Sequence, residues 1–232
     1  MGTDIHINDF IALLQHCLPG AGLDFQAIPG CKGLELLLIE PGYDVRGLSQ
    51  QQIDCLSDDP PYWILCWASG RAMAQALLDR KVDVRDKVVV DFGAGSGIVG
   101  IAAKLAGARE VFACDVDDNC CQLTRLNAQR NNVDLRIVTG LEQINVPVDL
   151  VLAADVLYEK ENLRFLDLML GVSDRVLVAD SRLKRMPDER FEHYETSVTT
   201  SFPDYGEAKA NNEVKFYRSR AGSGSSINRI PE

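Results

Sequence analysis

The chain has 232 residues and carries 34 acidic against 24 basic side chains, which gives a formal net charge of −10. That length predicts one globular domain with a small appendage, and the 46% apolar content argues against wholesale disorder. The acidic balance argues against a nucleic-acid partner, because sequence-independent binding of phosphates needs a basic surface. An acidic surface is better matched to cationic partners.

The amino-terminal residues predict neither export nor a membrane anchor. Residues 1–18 contain no Lys or Arg, which a signal or transit peptide needs. No apolar run approaches the ~20 residues of a membrane span. The seven cysteines include no Cys-x-x-Cys pair, so we expect reduced thiols in a cytoplasmic protein rather than a disulfide framework. The three histidines have no partner at metal-ligand spacing, so no metal site is predicted.

Residues 1–60 predict an accessory segment. Asn8 or Asp9 is expected to cap a short helix that runs through Cys17. Residues 33–39 are typical of a strand, and the prolines at 60 and 61 are a strong break in regular structure. A longer helix is predicted over residues 67–80.

A regular alternation of strands and helices begins near residue 86. Continuous runs of Val, Leu and Ala between helical stretches are typical of a parallel sheet covered on both faces. The predicted strands are 87–92, 110–115, 135–139, 150–155 and 175–180. The predicted helices are 98–106, 117–131 and 160–170.

The last part of the chain departs from this alternation of strands and helices. Two strand-like stretches, 196–201 and 213–218, have no helix-length segment between them and indicate an antiparallel hairpin. We therefore expect an α/β domain over residues 61–220, with a seven-stranded, Rossmann-like, mostly parallel sheet. Residues 221–232 have linker composition and predict a flexible tail.

The sharpest motif follows the first strand of that sheet: Asp91-Phe-Gly93-Ala-Gly95-Ser-Gly97. Alternating glycines let the backbone turn sharply and approach a ligand closely, and the next helix offers free N–H groups. Asp115 ends the following strand, where a carboxylate can accept hydrogen bonds from ribose hydroxyls. The motif therefore predicts a ligand that contains adenosine.

Two cofactors fit this spacing. Gly95, Gly97 and Gly100 also satisfy the dinucleotide fingerprint, so an NAD-dependent oxidoreductase stays an alternative. Asp91 favours S-adenosylmethionine (SAM), because a carboxylate there suits the cationic amino group of methionine and suits a pyrophosphate poorly. The closing hairpin also favours SAM, since a plain dinucleotide fold lacks it.

Residues that follow other strands are expected at the same edge, because ligands bind outside the carboxyl ends of parallel strands. Asp155-Val-Leu-Tyr158 supplies a carboxylate and a phenol, which suit a protonated amine better than an amide or a nucleobase. Asp155 is predicted to lie in the cofactor crevice with Asp91 and Asp115. Asp155 or Tyr158 is also predicted to hold the amine in line for transfer, with a strand cap and aromatic packing as the alternatives. Glu142 is the candidate contact to the adenine.

Weaker candidates are spread along the chain. Trp63 either flanks the cofactor or packs in the interior. Asn119 and Asn127 are expected to cap or to lie on the surface of the third helix of the domain. No role is assigned to Arg182.

The glycine motif resembles motif I of the class I SAM-dependent methyltransferases, and this resemblance covers roughly residues 62–220. The segment Pro60-Pro-Tyr-Trp63-Ile-Leu-Cys-Trp67-Ala-Ser-Gly70 is similar to methyltransferase family 16. That branch includes the lysine methyltransferases of the electron transfer flavoprotein β subunit and their bacterial relatives. Asp155-Val-Leu-Tyr158 resembles the acidic-x-x-aromatic motif of the same branch.

This resemblance implies SAM as cofactor, contact between Trp67 and SAM, and methyl transfer to a lysine amine of a partner protein. The electron transfer flavoprotein β subunit is one such partner. A small amine or heteroaromatic nitrogen is the alternative acceptor, and a non-catalytic SAM-binding module is a third class.

Overall fold

The computed structural model describes residues 6–206 and 208–222. Within these residues there are two sheets, one of two strands and one of seven. No helix in the described ranges is both long enough and apolar enough to cross a membrane. Most of the predicted tail, residues 223–232, lies outside the described residues.

Two helices and a hairpin make up the amino-terminal segment. They are α1 (Ile7–Leu14), β1 (Leu23–Ala27), β2 (Glu35–Ile39) and α2 (Gln50–Asp58), and β1 pairs antiparallel with β2. The predicted cap of α1 is wrong: His6 is the capping position, because the Asp9 carboxylate accepts the His6 N–H from inside the first turn.

The seven-stranded sheet confirms the predicted fold class. Its strands are β3 (Val88–Phe92), β4 (Glu110–Cys114), β5 (Arg136–Val138), β6 (Leu150–Ala154), β7 (Val176–Asp180), β8 (Phe191–Val198) and β9 (Glu213–Ser219). Their spatial order is β5-β4-β3-β6-β7-β9-β8. Strands β3 to β7 are parallel, and β9 runs antiparallel to both β7 and β8. The first hairpin strand begins at Phe191 rather than at residue 196, because a half-exposed edge strand carries polar residues that mask its pattern.

Helices cover both faces of this sheet. They are α3 (Ala68–Leu78), α4 (Ile98–Leu105), α5 (Asp118–Arg130) and α6 (Phe165–Val172), the last preceded by a 3₁₀ turn over Lys160–Arg164. The buried cluster on one face joins Val89 to side chains of α3 and α4. The cluster on the other face joins Val88 and Val90 to α6. This alternation along β3 follows from the period of two in a strand.

The amino-terminal segment packs in two places: Leu36 and Leu38 of β2 join the buried cluster of α3 and α4, and other residues pack on α5. A third buried cluster combines Phe10 and Leu37 with Leu123 of α5. Trp63 belongs to this cluster and meets the Phe10 ring edge-on, with 5.3 Å between the ring centroids. Of the two roles considered for Trp63, packing is the one that its position supports.

One pair of cysteines departs from the expectation of reduced thiols. Cys17 and Cys55 form a disulfide that joins the region after α1 to α2, with their Cα atoms 5.6 Å apart. The prediction was wrong for this pair because their sequence separation of 38 follows no recognised spacing. The other five cysteines are free and buried.

Candidate active site

The loop between β3 and α4 contains three glycines with left-handed backbone angles. Their φ values are 73° at Gly93, 53° at Gly95 and 81° at Gly97. A Cβ on Gly93 would lie 2.5 Å from Val156, and a Cβ on Gly97 would lie 2.8 Å from Thr124. A Cβ on Gly95 would meet nothing within 4 Å. The loop is therefore packed at both ends and faces open space in the middle.

Two carboxylates hold this loop in place. Asp115 accepts the Gly95 N–H through Oδ2 at 2.8 Å and the Asp117 N–H through Oδ1 at 3.0 Å. Asp91 lies buried beneath the loop and accepts the Gly100 N–H at 2.7 Å. Burial raises the pKa of both carboxyls, that of Asp91 to about 7. Asp115 thus shapes the loop itself, and Asp91 ties β3 to the first turn of α4.

The rim beside Asp115 carries a residue that the sequence analysis missed. Val116 is 88% exposed, directly after the carboxylate at the end of β4. The sequence could have indicated this residue, because Val116 is an apolar residue within a strongly polar stretch. Glu142 lies exposed in the 3₁₀ turn over Leu141–Gln143 that follows β5, the strand next to β4.

Asp155 lies directly after β6 and has a left-handed φ of 52°, which is uncommon for a residue with a side chain. Its Oδ1 accepts the Ser69 hydroxyl at 2.6 Å, and the N–H and hydroxyl of Ser181 at 3.0 and 2.9 Å. Its Oδ2 accepts the Ser69 N–H at 3.1 Å and keeps a lone pair for a second donor. Asp155 therefore ties the start of α3 to the ends of β6 and β7. Neither serine was predicted from the sequence.

Three aromatic rings follow one another along the rim beside Asp155, and we call Tyr158, Tyr62 and Trp67 the aromatic row. The ring centroids of Tyr158 and Tyr62 are 5.9 Å apart, and those of Tyr62 and Trp67 are 6.0 Å apart. The Trp67 indole N–H donates to the Tyr62 carbonyl at 2.8 Å. The Arg182 guanidinium lies over Trp67, 5.3 Å from the ring centroid. Tyr62 is another residue that the sequence analysis missed.

The predicted site residues lie along one edge of the sheet. Asp91 is the next-to-last residue of β3 and the glycines follow that strand, while Asp115 follows β4 and Asp155 with Tyr158 follows β6. These are three neighbouring parallel strands. Trp67 reaches the same edge from the start of α3. Among the residues that the structure describes, no group of three or more His, Cys, Asp or Glu is arranged to hold a metal ion.

A separate cavity of about 710 Å³ lies between α1, α2 and the start of α5. Its lining includes Asp54, Asp58 and Asp117 together with the Cys17–Cys55 disulfide. It borders the site through Asp117 but contains none of the glycines of the loop.

The chain is similar to known proteins over the part that contains these site residues. Residues 71–159 match the model of the family described as ribosomal protein L11 methyltransferase (PrmA). The electron transfer flavoprotein β subunit lysine methyltransferase of Homo sapiens is 33% identical over 116 residues, which cover 48% of this chain and 44% of that protein. The ribosomal protein L11 methyltransferase of Psychrobacter arcticus is 45% identical over 83 residues, which cover 32% of this chain and 27% of that protein.

Among solved structures, the ribosomal protein L11 methylase of Lactobacillus delbrueckii subsp. bulgaricus aligns with a TM-score of 0.50 and 20% identity. The alignment covers 66% of this chain and 78% of that one. The chain has the Rossmann-like fold of that methylase. By sequence it is also related to methyltransferases, although it spans less than half the length of the two curated relatives given above.

Proposed function

We propose that this chain is a SAM-dependent methyltransferase that modifies a lysine amine of a partner protein. The observation behind the proposal is the position of Gly95. The α-carbon of Gly95 faces open space, which a side chain at this position would fill. The Gly95 N–H donates to the Asp115 carboxylate. A loop that is packed at both ends and open in the middle suits close approach of a ligand to the backbone. The residues present therefore fit SAM.

Each part of SAM has a candidate partner in the chain. The loop glycines and Asp115 would hold the sugar, Asp91 the amino group, Val116 and Glu142 the adenine, and Trp67 would lie against the cofactor. When bound, SAM supplies a methyl group activated by a positively charged sulfur.

The chain's own residues would then orient the acceptor. The free lone pair on Asp155 Oδ2 and the hydroxyl of the exposed Tyr158 are the groups placed to hold an amine. A lysine amine has a reference pKa of about 10.4, so it must lose a proton before it attacks. The exposed rim lets that proton pass to water, and alignment of the amine supplies most of the acceleration.

The electron transfer flavoprotein β subunit is our first candidate acceptor. The relative named for that substrate in Rattus norvegicus matches 57% of this chain, a longer stretch than the 32% matched by the Psychrobacter arcticus L11 methyltransferase. Ribosomal protein L11 is the second candidate, favoured by the family match over residues 71–159. The exposed rings of the aromatic row favour a protein over a small enclosed substrate.

The direct test incubates the purified chain with SAM labelled in its methyl group. The candidate acceptors are the purified flavoprotein β subunit, purified L11 and a cell lysate. We expect label on lysine of a protein band, and none when the candidate's lysines are replaced by arginine. A labelled small product without a labelled protein would contradict the choice of acceptor. Calorimetric binding of NAD but not of SAM would contradict the whole proposal. Cell fractionation would test the predicted cytoplasmic location.

A further inference from the structure

The two tyrosines of the aromatic row are exposed side chains at the Asp155 end of the site. Tyr62 is 42% exposed and Tyr158 is 44% exposed, although each ring touches the other. Tyr62 sits in a 3₁₀ turn over Tyr62–Ile64, and its backbone carbonyl is fixed by the Trp67 indole. The fold thus fixes the backbone of Tyr62, and its ring lies between those of Trp67 and Tyr158 while part of the side chain stays exposed.

The row already receives one cation. The Arg182 guanidinium lies over the Trp67 ring, at the end of the row away from Tyr158. Arg182 itself is placed by Asp180, whose Oδ1 accepts the Arg182 and Leu183 N–H groups at 2.8 and 2.6 Å. Aromatic faces attract cations through their quadrupole, and the attraction strengthens as water is excluded.

The surroundings of the tyrosines also suit a positive charge. Asp155 precedes Tyr158 by three residues and keeps a lone pair on Oδ2, and Glu159 follows directly with an exposed side chain. A long aliphatic stem can lie along the rings while its charged end reaches a carboxylate, as lysine side chains do on apolar surfaces.

We infer that Tyr62 selects the acceptor: with Tyr158 it forms a wall that receives the alkylammonium side chain of lysine before transfer. The inference rests on the proposed function and deepens it, since it names a substrate-selecting residue of the same site. Tyr62 is then a binding residue for the acceptor rather than for the cofactor.

The kinetic test compares Tyr62→Ala and Tyr62→Phe with the unchanged chain. We expect Tyr62→Ala to raise the KM for the acceptor protein about tenfold, within the range of cation–π energies, while the Kd for SAM changes less than about twofold. Tyr62→Phe keeps the ring and should keep the KM. Tyr194→Ala is the matched control, because Tyr194 is also 37% exposed beneath an arginine but lies on the edge strand β8. An unchanged KM for Tyr62→Ala, or a Kd for SAM that rises as much as the KM, would overturn the inference.

A binding test keeps the inference separate from the reaction. Short peptides that differ only in lysine or norleucine are titrated against the full chain, and the ring protons of Tyr62 and Tyr158 are followed by NMR. We expect shifts with the lysine peptide and much smaller shifts with norleucine, which lacks the ammonium. Shifts with lysine but no methyl transfer to any acceptor would contradict the proposed function and leave the wall intact. Equal shifts with both peptides, or none with either, would overturn the wall itself.

Discussion

Replacing Asn127 by alanine should destabilise the whole chain, because this side chain joins three elements. Asn127 is fully buried in α5. Its Oδ1 accepts the Leu37 N–H of β2 at 2.7 Å, and its Nδ2 donates to the Ser96 carbonyl of the glycine loop at 2.8 Å. Its expected capping or surface role was wrong, because the amino-terminal hairpin covers the face of α5 on which it lies.

The size of the effect follows from the groups left without a partner. A buried N–H or carbonyl that loses its hydrogen bond costs about 1–3 kcal/mol, and Asn127→Ala leaves one of each. The expected loss in the free energy of unfolding is therefore about 2–6 kcal/mol, against a usual total of about 5–15 kcal/mol. Affinity for SAM should fall as well, since Ser96 directly follows Gly95, the glycine that faces open space.

Urea unfolding followed by circular dichroism measures the change. Gln129→Ala is the control, because Gln129 lies exposed on the same helix and should change stability by less than about 0.5 kcal/mol. Asn127→Leu fills the space but makes neither hydrogen bond, so it should lose as much stability as Asn127→Ala. Recovery of full stability by the leucine variant would refute the hydrogen-bond reasoning.

Four other variants test the site and the amino-terminal segment. The folded chain holds a proton on Asp91 from the ordinary pKa of 3.8 up to about 7, so its unfolding free energy should fall as pH rises through that window. Asp91→Asn should reduce this fall and leave the part that Asp115 contributes; an identical pH profile would show that Asp91 is not a source of it. Asp115→Ala should weaken SAM binding in calorimetry by about 1–3 kcal/mol, and an unchanged Kd would mean that the crevice is misassigned. Asp155→Asn should reduce turnover in the methylation assay with SAM affinity largely kept, and loss of both together would point to a cofactor role. Cys55→Ser removes the disulfide that closes the loop between Cys17 and Cys55, which are 38 positions apart in sequence. Its loss should lower the free energy of unfolding by about 4 kcal/mol. A reductant should have the same effect on the unchanged chain and none on Cys55→Ser, and equal sensitivity of the two would contradict this.

The sequence predicted the sheet well because its strands are continuous apolar runs. Buried parallel strands need such runs on both faces, and α4 and α5 between them follow a helical period. The elements that were missed lack these patterns. β1 mixes Asp24 and Gln26 with apolar residues, and α2 has no fully buried side chain at all. An element that packs weakly leaves little periodicity for sequence reasoning to find.

The candidate site likewise has some residues that the sequence predicted and some that it did not. Gly95 and Asp115 could be predicted because the motif fixes their spacing along the chain. The partners of Asp155 could not, because Ser69 is 86 residues away and Ser181 is 26 residues away. Such contacts arise from the sheet order and from where α3 begins, which no local pattern contains.

The contact between Leu37 and Asn127 also sets an order on how the chain comes to be folded. The two residues are 90 positions apart, so the hairpin is synthesised well before the helix that covers it. At about 5–20 residues per second, the ribosome needs roughly 5–20 s to make the residues between them. During that interval the apolar face around Leu37 lacks α5 and has only earlier elements such as α1 to cover it, which leaves part of it open to chaperones or to other nascent chains. The glycine loop, whose Ser96 carbonyl is bound by the same asparagine, can reach its final shape only after that delay.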